Sequence, residues 1–194
     1  METVSPPALR AETTGPFTVR VLANRRLSTD AFELTLARPP HFGFLAGQRL
    51  RLEYGGAQRD YSIVSAPAET DLRLCIRRVA GGRLTARLAQ AGADETVTFT
   101  GPHGYFTFKA SSRPAVFAAT GTGIAPFCAM VGAGVTGFTL LHGVAAPADL
   151  HYRDLVQPRA SVYVACLSAG RPAEPAHYRG RVTDYLRNRL PPRA

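Results

Sequence analysis

The chain has 194 residues, 45% of them hydrophobic and 19% charged, an ordinary globular composition that excludes disordered and fibrous classes. That length holds one large domain or two small ones. The net charge of +9, from 23 basic and 14 acidic residues, favours an acidic partner or a phosphate-rich ligand. The arginines are scattered, with no basic tract and no nucleic-acid motif, which argues against nucleic acid as a partner.

Met1 to Pro16 reads as a flexible lead-in without the apolar core of a secretory signal. From Phe17 onward short alternating runs dominate: Phe17–Leu22, Ala31–Leu36, Arg49–Leu52, Asp71–Arg77 and Glu95–Phe99. Turn residues at Arg38-Pro-Pro40, Gly55-Gly56, Gly81-Gly82 and Gly101-Pro102 separate them, as in an antiparallel barrel or sandwich. Leu84 to Ala91 reads as a helix, with Leu84 and Leu88 four apart. After Ser111-Ser-Arg-Pro114 the pattern changes to short apolar runs, Ala115–Ala119, Phe138–Leu141 and Val162–Cys166, with helix-compatible segments between them. That is the βαβ alternation of a parallel sheet covered on both faces. The fold class is therefore two-domain, β plus α/β: an antiparallel β-barrel over 17–110, then a parallel-sheet α/β domain over 114–194. Cys75, Cys128 and Cys166 form no CxxC pair, so no metal or iron–sulfur site is expected, and each reads as a buried apolar residue in a reducing compartment. No apolar run approaches a membrane span. The expected location is the cytoplasm.

Two segments carry chemistry. In Arg59-Asp-Tyr-Ser62, at the end of an antiparallel strand, Arg59 and Tyr61 share one face and Ser62 points away. An Arg can grip a pyrophosphate bidentately, a Tyr ring can stack on a flat heterocycle, and a Ser hydroxyl can bond a ring nitrogen. Those four residues alone equally suit an ordinary amphipathic strand. Gly81-Gly-Arg-Leu-Thr85 follows at a helix start, where backbone N–H groups and the Thr85 hydroxyl suit a phosphate. Thr85 as a simple helix cap stays open. The second segment, Thr120-Gly-Thr-Gly-Ile-Ala-Pro126, joins an apolar strand to a helix at the carboxyl end of a parallel sheet, where such sheets bind ligands. Its spacing is not GxGxxG, which disfavours an ordinary Rossmann loop.

Together these segments resemble the ferredoxin–NADP⁺ reductase family of flavoproteins. Arg59-Asp-Tyr-Ser-Ile-Val-Ser-Ala-Pro67 is similar to its RxYS flavin motif, and Gly82-Arg-Leu-Thr85 to its flavin-phosphate helix start. Phe44–Gln48 resembles its Pro-Gly-Gln lead-in, with Ala46 where Pro is usual, and Gly101–Phe106 its Gly-Pro-x-Gly-x-Phe segment. Gly121-Thr-Gly-Ile-Ala-Pro-Phe127 resembles its nicotinamide loop, and Asp149–Asp154 its Asp-x-x-Tyr-Arg-Asp helix.

The resemblance implies FAD, rather than FMN, held by Arg59, Asp60, Tyr61, Ser62, Arg77, Gly82, Arg83, Leu84, Thr85 and Thr122, with Ser62 and Tyr61 nearest the reaction. It implies NADPH or NADH as substrate, docked by Gly121, Thr122, Gly123, Pro126, Val144, Ser168, Arg171 and Arg181. Ala145 and Ser168-Ala169 stand where relatives carry arginines. The choice between NADPH and NADH is therefore open, and Arg179 and Arg181 also read as plain surface charges. Three parallel strands are readable, and the family's Cys-Gly-x-x-x-Met strand is absent, so the nucleotide domain reads as truncated. A partner subunit over the sheet edge is one expectation from that. The implied activity is hydride transfer from NAD(P)H to FAD, then single electrons to an acidic ferredoxin or flavodoxin. A non-catalytic flavin-binding electron-transfer subunit and a reductase component of an oxygenase are the alternatives.

Overall fold

A computed structural model describes residues 15–169 and 177–189. The expected lead-in at 1–16 therefore falls almost wholly outside the described residues. Six antiparallel strands make the first sheet: β1 (Phe17–Arg26), β2 (Ala31–Ala37), β3 (Arg49–Tyr54), β4 (Ala57–Ser62), β5 (Asp71–Arg77) and β6 (Thr96–His103). Their order is β4-β3-β6-β1-β2-β5. A bridge between Ile63, just past β4, and Leu74 of β5 brings the two outer strands together. The sheet thus curls into a nearly closed barrel.

Its interior follows from the period of two. Leu50 and Leu52, Leu72 and Leu74, and Val97 and Phe99 alternate inward and are buried. Each such leucine contributes roughly 2 kcal/mol by leaving water. Gly55 and Gly56, at φ 58° and 75°, make the two-residue turn from β3 to β4. Positive φ at both positions matches strand twist, which side chains with a Cβ resist. Between β5 and β6, helix α1 (Arg83–Leu88) buries Leu84 and Leu88 against the barrel core. The expected leucine pair is there, although the helix ends before Ala91.

The second sheet is parallel and has four strands rather than the three expected: β7 (Val116–Thr120), β8 (Phe138–Val144), β9 (Ala160–Leu167) and β10 (His177–Arg179), in the order β10-β9-β8-β7. The fourth is three residues long, His-Tyr-Arg, with neither an apolar run nor an alternation to betray it. Only its backbone pairing with β9 makes it a strand. The outer edge of β7 is unpaired among the described residues.

Helices α2 (Ala125–Gly132) and α3 (Arg153–Val156) pack on one face and α4 (Val182–Arg189) on the other. Residues Ala125 to Val131 are all buried, so α2 shows no amphipathic period. In this second core Phe117 stacks between Phe127 at 4.5 Å and Phe138 at 4.6 Å. Val64 and Cys75 of the barrel side belong to the same core. The two sheets therefore share an apolar wall.

Candidate active site

A cleft of about 580 Å³ opens where the sheets meet. Asp30, Ala31 and Arg77 of the barrel form one wall. Thr120, Gly121 and Thr122, together with Val144, Ser168 and Arg181, contribute to the other. The nucleotide-type loop builds as its sequence suggests: β7 runs into a tight 3-10 turn over Gly121–Ile124, then into α2. A Cβ at Gly121 or Gly123 would meet nothing within 4 Å, so the space over the loop is open to a ligand. Five of the residues expected at the nicotinamide substrate, Gly121, Thr122, Val144, Ser168 and Arg181, line this one cleft. Arg181 is exposed and has no acidic partner for its side chain among the described residues. The Ser168 hydroxyl donates to the Val144 carbonyl at 3.3 Å.

Two expected residues stand apart. Pro126 is buried in the first turn of α2 and does not line the cleft, because its fixed φ suits a helix start. Gly123 is exposed but is not part of the cleft wall. Arg171 lies outside the described residues.

The residues expected at the flavin gather elsewhere on the barrel. Arg59 and Tyr61 pair in register with Leu52 and Leu50, so both lie on the inward-leaning face of β4. Arg59 is exposed, and its one hydrogen bond, at 2.7 Å, goes to the neighbouring Gln58 carbonyl. It has no carboxylate partner among the described residues, which leaves its guanidinium available for an anion. The Tyr61 ring packs against the barrel core. Its hydroxyl is buried without a partner in the structure, and burial pushes its pKa up. A buried donor left unsatisfied costs about 1–3 kcal/mol, a cost that a ligand acceptor would remove. These residues therefore fit a phosphate-bearing aromatic ligand such as FAD.

Three other expected flavin residues have side chains engaged within the protein. Asp60 holds Arg49 at 2.9 Å and Arg51 at 2.8 Å through its two carboxylate oxygens. The Arg51 hydrogen bond is the main reason its pKa is lowered. Asp60 is thus committed to ordering two arginines on the face that Ser62 shares by register. Leu84 is a core side chain. The Thr85 hydroxyl is already engaged, accepting from Val79 N at 3.2 Å and donating to the Gly82 carbonyl at 3.4 Å, which shapes the turn before α1. Arg83 at that turn is exposed and α1 packs against β3 and β4, which brings the turn's element beside the Arg59 strand. Arg77 lies in the cleft instead, ion-paired with Asp30 at 2.8 Å.

The cleft also recruits residues not expected there from the sequence: Asp30, Ala31, Gly143, Asp149 and His151. Behind it His142 is fully buried, its Nδ1 at 3.0 Å from the Tyr163 hydroxyl. Burial, and then the nearby His151, hold its pKa down to about 4. The imidazole under the loop is therefore neutral at physiological pH. In the shared wall, burial pushes the Cys75 thiol up to about 12.

Residues 18–108 match the family model described as an oxidoreductase FAD-binding domain. The chain is 34% identical over 176 residues to ferredoxin–NADP reductase B of Sorangium cellulosum, covering 81% of this chain and 72% of that one. The chain belongs to the ferredoxin–NADP reductase family. It is also similar to the toluate 1,2-dioxygenase electron transfer component of Pseudomonas putida, at 31% identity over 172 residues, 82% of this chain and 51% of that one. A crystal structure of a cytochrome P450 reductase from Amycolatopsis superposes with a TM-score of 0.76 at 28% identity, covering 90% of this chain and 58% of that one. The chain thus spans about half the length of these last two relatives. For the ferredoxin–NADP reductase family the matched model names the chemistry, oxidoreduction, and the cofactor of the barrel, FAD.

Proposed function

We propose that the protein is a flavin-dependent oxidoreductase that takes a hydride from NADH or NADPH and passes electrons singly to an acidic ferredoxin or flavodoxin. In this reading residues 17–110 are the FAD-binding domain and residues 114–194 the NAD(P)-binding domain. The observation that carries it is the cleft between the sheets, in which Thr120, Gly121 and Thr122 face Asp30, Ala31 and Arg77 of the barrel. FAD, when bound, would supply the redox chemistry.

The chain's own residues would do the rest. Arg59 on β4, together with Arg83 at the start of α1, would grip the diphosphate. Tyr61 would donate its orphaned hydroxyl to the ligand and offer its ring for stacking. Ser62 would present a hydroxyl to the reactive edge of the ring system. Gly121 and Thr122 would admit the pyrophosphate of the nicotinamide substrate close to the backbone, and Arg181 and Ser168 would bind its far end. The +9 charge would draw an acidic electron acceptor.

A reductase component serving an oxygenase is the second reading, favoured by the similarity to the toluate dioxygenase component. A non-catalytic flavin subunit would share the flavin site alone. The free edge of β7 is where a further strand, from this chain or a partner subunit, would add. All three cysteines are buried and free, which suits a reducing compartment, and we place the protein in the cytoplasm. No helix among the described residues is long and apolar enough to cross a membrane.

A visible spectrum of the purified protein, with and without added FAD, tests the flavin site. A protein that gains no flavin absorbance sinks the proposal. Anaerobic titration with NADH and with NADPH then separates the readings, because a non-catalytic subunit keeps its colour with both. Reduced holoprotein mixed with an acidic ferredoxin or with an oxygenase component identifies the acceptor class.

A further inference from the structure

Behind the cleft lies a polar cluster that hydride transfer does not itself use. Glu33 on β2 is only 5% exposed. Its Oε1 accepts from Arg25 Nη2 at 3.0 Å, and its Oε2 lies 3.5 Å from Arg73 Nη1. Both arginines belong to the barrel. The remaining bond crosses to the segment that leads into α3: the Tyr152 hydroxyl donates to Glu33 Oε2 at 2.8 Å.

Tyr152 has φ 59° and ψ 17°, a left-handed backbone that bulky side chains rarely adopt. It holds this conformation with its hydroxyl on a buried carboxylate. Burial, and then Cys75 and Glu33 nearby, push its pKa far up, so the phenol stays a donor through the neutral and alkaline range. The bond also sits close to both cleft walls. Tyr152 directly follows His151, which lines one wall, and Glu33 is two residues past Ala31, which lines the other. The core packed around it is the shared one: Cys75 of the barrel and Cys128 of α2 lie in the same apolar cluster, with Tyr152 packed against it.

We infer that the Tyr152–Glu33 hydrogen bond is a latch between the barrel and the segment before α3 that sets the opening of the cleft, which makes Tyr152 a positioning residue. Its role in transfer rests on the flavoenzyme reading above. Removing a donor from a buried carboxylate has a moderate cost in stability. Transfer between two bound groups, in contrast, falls steeply with sub-ångström misalignment. The latch therefore acts on rate as well as on folding, and more on either than on substrate affinity.

The test is Tyr152→Phe in the FAD-loaded protein, a change that keeps the ring in its place and removes only the donor. Flavin content stays close to wild type, and the thermal midpoint falls by no more than several degrees. The limiting rate of flavin reduction at saturating NADH or NADPH falls by about tenfold or more, while the nucleotide dissociation constant changes by less than about threefold. Amide hydrogen exchange rises together at residues 121–124 and 31–34, one segment on each wall. A variant with the wild-type limiting rate and unchanged exchange at both segments overturns the latch. If wild-type flavin is bleached by neither nucleotide, the flavoenzyme reading fails. Exchange alone then decides: a coupled rise supports the latch and no change overturns it. If Tyr152→Phe does not fold, Tyr152→Met, which also removes the donor and leaves Glu33 and its arginines intact, is put through the same measurements, and the same results support or overturn the latch.

Discussion

The barrel and the parallel sheet solve the problem of burial differently. The barrel fills its interior from its own strands, with Leu50, Leu52, Leu72, Leu74 and Phe99 meeting across a nearly closed sheet, and α1 seals it with Leu84 and Leu88. Polar residues such as Arg59 and Asp60 can then sit on the outer strand β4 without weakening the core. The parallel sheet needs helices on both faces and takes part of one wall from the barrel, through Val64 and Cys75. Its core also contains buried polar groups, His142 and the nearby Tyr163. The barrel is thus a self-contained platform. The nucleotide side depends on that platform for both its packing and its cleft.

The joint between the two is where this dependence can be disrupted most severely. Gly47 has φ +102°, and a Cβ there would run into the Phe106 carbonyl oxygen and lie 2.7 Å from Met130 Cε of α2. Gly47→Ala combines backbone strain with a clash at the shared wall and should destabilise the protein by about 3 kcal/mol or more. Thermal melts check it. A variant within about 1 kcal/mol of wild type would mean that the wall yields easily and that the nucleotide side does not depend on it.

A pH series probes the same contrast through the buried polar groups of the nucleotide side. His142 is held down to about 4 in the fold, against roughly 6.5 in an unfolded chain. Between those values the unfolded chain binds a proton that the folded chain refuses. Stability should therefore drop as pH falls from about 6.5 to about 4, by about 3 kcal/mol across that window, and this residue adds no slope above it. His151, lowered chiefly by burial, acts in the same direction. Urea midpoints from pH 8 to pH 4 should fall less steeply for His142→Gln than for wild type. Parallel curves would remove His142 as the source.

A milder change is confined to the barrel. Arg59 is exposed and bonds only a neighbouring carbonyl, so Arg59→Ala should leave the melting temperature unchanged. Flavin affinity should weaken by about 1.5–3 kcal/mol, the range for a hydrogen bond to a charged group. Equilibrium dialysis or flavin fluorescence measures it. Unchanged affinity would move the phosphate site away from β4.

Much of this was legible from local pattern. Alternation marked five barrel strands and apolar runs marked three of the parallel ones, because burial on one face or on both leaves a period in the chain. Strand β10 left none, since three polar residues at a sheet edge become a strand only by pairing with β9. The motifs do not reveal that the side chains of Asp60, Leu84 and Thr85 also serve an ion-pair cluster, a core position and a turn. A motif records which residues recur together and does not distinguish the side chains that touch the ligand from those that shape the loop.

The fold class, the family and the two motif segments are written in the chain itself, since each rests on neighbouring residues whose spacing is fixed by the backbone. Which side chains share a cavity is a matter of three-dimensional packing. Arg77 lies in the cleft beside Asp30, His151 joins it from the turn before α3, the Tyr61 hydroxyl is left without a partner, and Tyr152 reaches Glu33 across the joint. Those meetings depend on how two sheets pack against one apolar wall, and no local period encodes that packing.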